Sequence, residues 1–396
     1  MKAKTKELPL ETMELQMGPS HPATHGTIKF NLKLEGEKIL ACDVEVGFLH
    51  RGFQKSCEQA TWTQVVPYTD RLNYASPLIN NVGYALAVEK LLGVQTPPRC
   101  QFIRVIMSEL SRIYDHLTCC GMAASEMGAI TVAFYLMEAR ELIIRVIEEV
   151  TGARLTVTYV RIGGVKHDLP QGFESQLAQI FQTLERLLLD CDRLLSRNRI
   201  FIDRVSGIGV ISQETAIQYG LTGPILRSTG INYDVRKANP YLVYDQLDFE
   251  VPLGEKGDNY DRFVCRVAEI EQSVRIVRQV LKKIPPGPVF VDDPRIVPPE
   301  KEKVYGSIEG LMHHFKFIMQ GIQVPPGEVY QAVEGGNGEL GFYIVSEGGG
   351  KPYLLRVRPP CFIAMSAFHE MVQGAMVADI IPTFGMVNMI GGECDR

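Results

Sequence analysis

FVCRVAEIEQSVRIVRQVL, residues 263–281, places Phe263, Val267, Ile270, Val274, Val277 and Leu281 at alternating steps of four and three. That is the period of one apolar helix face. Leu177, Phe181, Leu184, Leu188, Cys191 and Leu195 repeat the spacing, so both segments read as core helices of a bundle. Working upstream, Leu78–Leu92, Phe102–Met127 and Thr131–Val150 also read as helices, separated by Pro97-Pro98 and Gly128. Further upstream, TIKFNLKLEGEKILACDVEVGF (27–48) alternates apolar and polar residues around Gly36, the pattern of a hairpin. Downstream, Pro285-Pro286-Gly287-Pro288 stops the last bundle helix. Gly341–Val345 and Tyr353–Val357 then read as strands, and His369–Ile381 as a final helix. The expected fold is α+β: a β-rich N-terminal region (1–66), a central helical bundle (67–290) and a mixed α/β C-terminal region (291–396).

Composition narrows the function. The chain has 396 residues, of which 45% are hydrophobic and 22% charged, the balance of a globular protein. Its 41 basic against 46 acidic side chains lack the excess positive charge of a nucleic-acid binder. The most apolar stretch, Phe362–Gly392, is interrupted by His369, Glu370, Asp379 and Pro382, so no segment is expected to span a membrane. The opening MKAKTKELPLETMELQMG has no apolar run and does not read as a signal peptide. Nine cysteines, at 42, 57, 100, 119, 120, 191, 265, 361 and 394, include no C-x-x-C pair. They read as reduced thiols packed as small apolar residues, with no iron–sulfur cluster or zinc held by this chain.

The motifs separate into misleading and informative ones. Gly348-Gly349-Gly350-Lys351 is followed by Pro352 where a phosphate loop needs Ser or Thr, so a turn is the reading. His21 and His25 share the loop GPSHPATHG (18–26), whose prolines and glycines oppose a helical metal pair. A tight loop before a strand is favoured, carrying two imidazoles able to donate hydrogen bonds and carry protons. Tyr74 reads either as a core aromatic or as a phenol donor to a carbonyl. Arg104, Ser108, Arg112 and His116 recur every four residues, leaving a solvated face, a contact between subunits and an internal polar seam all open. Arg140, Glu141, Arg145 and Glu148 on the next helix are candidates to pair with them.

Several strings converge on one family: GPSHPATHG (18–26), GFLHRG (47–52), AVEKLLG (87–93), RVIMSELSR (104–112), YVRIGGV (159–165), GINYDVRK (230–237), GELGFY (338–343) and GECDR (392–396). In this order, over nearly the whole chain, they resemble the 49 kDa subunit, also called the D-type subunit, of respiratory complex I, the proton-translocating NADH–quinone oxidoreductase. That family is related to the nickel–iron hydrogenase large subunit, which implies a hydrogenase-large-subunit-like fold. The two metal-binding C-x-x-C pairs of the hydrogenases fall here on Asn73 and Ser76, and on Ile390 and Glu393. None is a thiolate, so hydrogenase chemistry is excluded.

The resemblance implies a quinone headgroup site with His25 and Tyr74 bonding the two quinone oxygens, and His21, Arg71 and Glu126 around them. No cofactor would be bound by the chain; quinone would be the substrate, reduced by electrons from a [4Fe–4S] cluster in a neighbouring subunit. Implied partners are that iron–sulfur subunit, a 30 kDa-type subunit and a membrane subunit forming the quinone channel, on the cytoplasmic side of the inner membrane. Against the family pattern, Asn73, Gln54 and Asn388 stand where carboxylates are common, Thr156 where histidine is, and Glu126 where Asp is. Fewer titrating groups would then face the quinone. The alternative is a scaffold subunit of a related membrane-bound energy-converting complex with a non-quinone acceptor.

Overall fold

The structure, a computed structural model, describes residues 12–396. The start of the signal-peptide reading, up to residue 11, lies outside the described residues. The fold is mixed α/β. Strands β1 (Thr12–Met17), β2 (Lys29–Glu35) and β3 (Lys38–Glu45) form an antiparallel sheet in the order β1-β2-β3. The β2–β3 turn has Gly36 at φ 61°, as the hairpin pattern requires. Phe30, Leu32 and Leu34 of β2 all point inward and are buried.

Five long helices make the bundle: α1 (Pro77–Leu92), α2 (Pro98–Glu126), α3 (Ile130–Thr151), α4 (Phe173–Cys191) and α5 (Asn259–Lys283). Their ends obey local chemistry. Pro77 and Pro98 open α1 and α2, where a missing N–H costs nothing, and Gly93 closes α1 in the left-handed region at φ 66°. Asp258 caps α5 by accepting from the Asp261 N–H at 2.9 Å. Helix α2 runs through the centre, packing on α3 and α5, while α4 lies on α3.

A second antiparallel sheet, β4 (Gly327–Glu334), β5 (Glu339–Ser346) and β6 (Leu354–Arg358), covers α1. Gly83 lets α1 approach it, since a Cβ there would stand 2.9 Å from both Phe342 and Val333. The glycine triplet is a turn. Gly349 and Gly350 offer their carbonyls to the Trp62 indole and backbone N–H at 2.9 and 3.2 Å.

Two expectations are corrected and two strands are added. The segment His369–Ile381 is not one helix. It divides into Phe368–Val372, a 3-10 turn at Val377–Asp379, and a helix over Ile380–Val387. Between them Gly374 takes φ 82°, and the backbone leaves helical bonding to pair with the hairpin: Gly374 and Val377 donate to Ile39 and Glu37, and Ala375 accepts from Ile39. Strands β1 and β4 went unread. Helix α4 ends at Cys191, and a π turn over Asp192–Ser196 carries Leu195 into the core.

The four-residue stripe on α2 is the internal polar seam. Arg104, Ser108, Arg112 and His116 are all buried. Arg104 grips Glu89 at 2.6 and 2.9 Å, Arg112 donates to the carbonyls of Glu334 and Gly335, and His116 meets Glu269 at 2.8 Å. Arg227 bonds Glu269 and Glu334, and Arg236 bonds Asp234 and Glu109. Helix α3 does not pair with this seam. Glu141 and Glu148 bind Arg154 on an exposed face, and Arg140 turns to Tyr114.

Candidate functional site

Between the loop that precedes β2 and the C-terminal half of α2, a cavity of about 330 Å³ opens. Its walls come from the 18–26 loop (His25), the turn before α1 (Tyr74, Ala75), α2 (Tyr114 to Glu126), α3 (Arg140) and residues 385–390. The lining is mostly apolar, with a few convergent polar groups, the character of a small-molecule site.

The loop is held rigidly. Gly18 sits at φ 94°, and a Cβ there would come within 2.3 Å of the Ile28 carbonyl, so only glycine fits. His21 caps the 3-10 turn Pro22–Thr24, its Nδ1 accepting from the Ala23 N–H at 3.1 Å. Thr24 donates to the carbonyls of Pro19 and His21. His25 follows in the left-handed region at φ 53°, which turns its ring toward α2. There Nε2 meets Glu126 Oε1 at 2.7 Å, and the ring packs edge-on against Phe384 at 5.1 Å.

Tyr74 is 39% exposed, so the core-aromatic reading fails, and its hydroxyl bonds no other described residue. Burial, with the Cys361 and Asp115 side chains nearby, holds the phenol above its ordinary range, so it remains a donor. Opposite it, Arg140 lies 4.8 Å over the Tyr114 ring and donates to its hydroxyl at 2.8 Å. Of the five residues singled out, the structure brings His25, Tyr74 and Glu126 to one cavity. His21 faces away, onto a separate groove beside β1, and serves as a cap. Arg71 lies outside the cavity, donating to the Pro67 carbonyl while its own carbonyl accepts from Arg51. Gln54 and Thr156 do not line it either.

Beside the cavity lie two buried carboxylates whose place in the site sequence reasoning missed, Asp115 and Glu393. The amides of Asn73 and Asn388 both donate to the fully buried Asp115 carboxylate. Isolated polar residues without periodicity gave no signal for this. Glu393, read only as a missing thiolate, is buried with one oxygen unbonded. Burial pushes its carboxyl up to about 7, with Asp115 adding to the rise. Between the ordinary glutamate value near ~4.3 and about 7, the folded state holds a proton that the unfolded chain has lost. Stability therefore falls as pH rises through that window and levels off above it. Glu393→Gln, which stays neutral, is expected to flatten this slope, removing roughly 3 kcal/mol of pH dependence between about pH 5 and about pH 8. Thermal melting across that range checks it; an unchanged slope in the variant would contradict the assignment.

Among the described residues, no three His, Cys, Asp or Glu side chains group as a metal site. No helix among them is long and apolar enough to cross a membrane. The nine cysteines are free thiols, eight of them buried.

A mixed α/β chain with a mostly apolar cavity and a few polar groups in its walls has the form of a protein that binds a small molecule. Residues 126–396 match the family described as the 49 Kd subunit of respiratory-chain NADH dehydrogenase. The chain is 54% identical to a D-type subunit of the NADH-quinone oxidoreductase of Sorangium cellulosum, covering 98% of this chain and 97% of that protein. It is likewise 54% identical to the D-type subunit of Myxococcus xanthus, over 98% and 94%. A Bdellovibrio bacteriovorus protein whose name joins the C and D types is 48% identical over 97% of this chain and 69% of its own length. The chain belongs to the 49 kDa, or D-type, family of NADH–quinone oxidoreductase subunits. Its architecture is consistent with the hydrogenase-large-subunit-like fold that the sequence implied.

Proposed function

We propose that the cavity between His25 and Tyr74 receives the quinone headgroup of a membrane-associated NADH–quinone oxidoreductase, with electrons arriving from an iron–sulfur cluster in an adjoining subunit. The observation that carries this is the Tyr74 hydroxyl, a donor held protonated and without a partner among the described residues, in a mostly apolar wall. Reduction of a quinone consumes two electrons and two protons, and negative charge develops on both ring oxygens. Donors aimed at those oxygens stabilise it. Tyr74 serves one oxygen. The His25 Nε2 is committed to Glu126, leaving Nδ1 for the other. When the ring is protonated, Glu126 faces one N–H and the second is free to donate. His21 acts indirectly by fixing the loop.

The adjoining subunits in this reading are the cluster-bearing iron–sulfur subunit, a 30 kDa-type subunit and a membrane subunit that forms the quinone channel. The name of the Bdellovibrio relative, which joins the C type with the D type, supports a C-type neighbour. With no spanning helix among the described residues, the chain would reach the cytoplasmic face of the inner membrane through those partners. A quinone with a photoreactive headgroup tests the site in the assembled complex. Label on peptides containing Tyr74 or Glu126, displaced by excess plain quinone, is the expected result. Displaceable label confined to other subunits would overturn it and favour a scaffold role.

A further inference from the structure

We infer that Asp115 is a positioning residue for this cavity, its buried carboxylate tying the turn that bears Tyr74 and the turn that bears Asn388 to the central helix α2. Oδ2 accepts from the Asn73 amide at 2.9 Å, and Oδ1 accepts from the Asn388 amide at 2.9 Å. Asn73 directly precedes Tyr74, and Asn388 lines the cavity itself. One carboxylate thus sets two walls that are 315 residues apart in sequence (388 − 73).

The hydrogen-bond logic admits little else. Asn73 spends its own oxygen on the Ala75 N–H at 3.0 Å, so its amide cannot flip without setting two donors against each other. Asn388 donates also to Asn337 Oδ1 at 2.7 Å, and its flip would set two acceptors face to face. Its left-handed backbone, at φ 56°, suits asparagine. Position 115 must therefore offer two acceptors and no donor, which among side chains of this size is a carboxylate. Space is equally constrained, because a Cβ at Gly336 would stand 2.1 Å from Oδ2. The two amides thus converge on a single acid, Asp115.

The inference rests on the quinone reading, and a charge transposition separates the two. In Asp115→Asn one of the two amides meets a donor, and kcat/KM for quinone in the assembled complex is expected to fall about 10- to 100-fold. The loss should appear mainly in KM, with the neighbouring cluster still reduced by NADH. Adding Asn73→Asp reverses donor and acceptor while keeping every bond, since the new carboxylate accepts from both the new amide and Ala75. That double variant is expected to return to within about twofold of the parent. Should Asp115→Asn prevent assembly, recovery of an active complex by the double variant supports the same conclusion. Parent-like kinetics in Asp115→Asn, or a defect that Asn73→Asp does not relieve, would overturn it. Tyr74→Phe is run alongside. If that variant is impaired while the transposition fails, only the Asp115 assignment falls; if it is silent, the quinone reading falls with it.

Discussion

Tyr74→Phe in the assembled complex is expected to lower quinone turnover about 10²- to 10³-fold, the typical cost of removing one donor from developing negative charge. The substitution keeps the ring in the cavity wall and deletes only the hydroxyl. Because that hydroxyl bonds nothing else in the described chain, its removal leaves no orphaned group, and folding should be unaffected. The defect should lie in the reaction with quinone, leaving reduction of the neighbouring cluster by NADH at its normal rate. Turnover and cluster reduction measured on the same preparation separate these. His25→Ala should give a smaller loss, because Glu126 and water can still deliver protons. Unchanged turnover in both variants would reduce the two residues to packing and favour the scaffold reading.

Arg227→Met is expected to cost about 3–5 kcal/mol of stability, the penalty for stripping one partner from a buried ion network. The Arg227 guanidinium is fully buried and bonds Glu269 at 2.6 and 2.9 Å, Glu334 at 2.7 Å and the Tyr233 carbonyl at 3.1 Å. Burial alone would raise the Glu269 carboxyl, but Arg227 and then His116 outweigh it and hold Glu269 well below its ordinary range. Since the folded value is depressed, this stabilisation is complete above the unfolded value near ~4.3 and is lost as pH falls through the folded one. Methionine removes the charge that holds Glu269 and leaves Glu334 facing Asp234. Urea unfolding of the purified protein, with its yield in the assembled complex, reads the effect. A loss below about 1 kcal/mol, the range of an exposed pair, would contradict the account.

The bundle was legible because its apolar residues keep the helical period. Phe263, Ile270, Val274 and Val277 are buried on α5 as the spacing requires, and the hairpin turns at Gly36. Periodicity said nothing of Arg262, Arg266 and Glu269 on the same helix, which are equally buried because the two arginines donate to nearby carbonyls and Glu269 accepts from Arg227. A charged residue at a regular interval looks the same whether it meets water or a partner. For that reason the α2 stripe stayed open among three readings until its partners were seen. The final helix failed for a different reason, since hydrogen bonds to a strand more than 330 residues earlier (374 − 39) replaced the local ones. In the site, one motif string carried His25, while Tyr74 and Glu126 came only with the family resemblance that the strings support together. Asp115 and Glu393 emerged only when residues distant in sequence came together.

The way residues 37–39 clasp residues 374–377, with His25 seated against Phe384, sets an order of events during synthesis. The 365 residues that separate His25 from Ile390 (390 − 25) take a ribosome roughly 20–70 s to make at about 5–20 residues per second. Through that interval the His25 loop has neither Phe384 nor the 385–390 wall to close on, although α2 and Glu126 are made within its first third. The cavity thus matures late, and a nascent chain stalled before residue 380 presents it open on that side. Any neighbour that recognises the closed pocket thereby distinguishes chains that carry residues 385–390 from shorter ones.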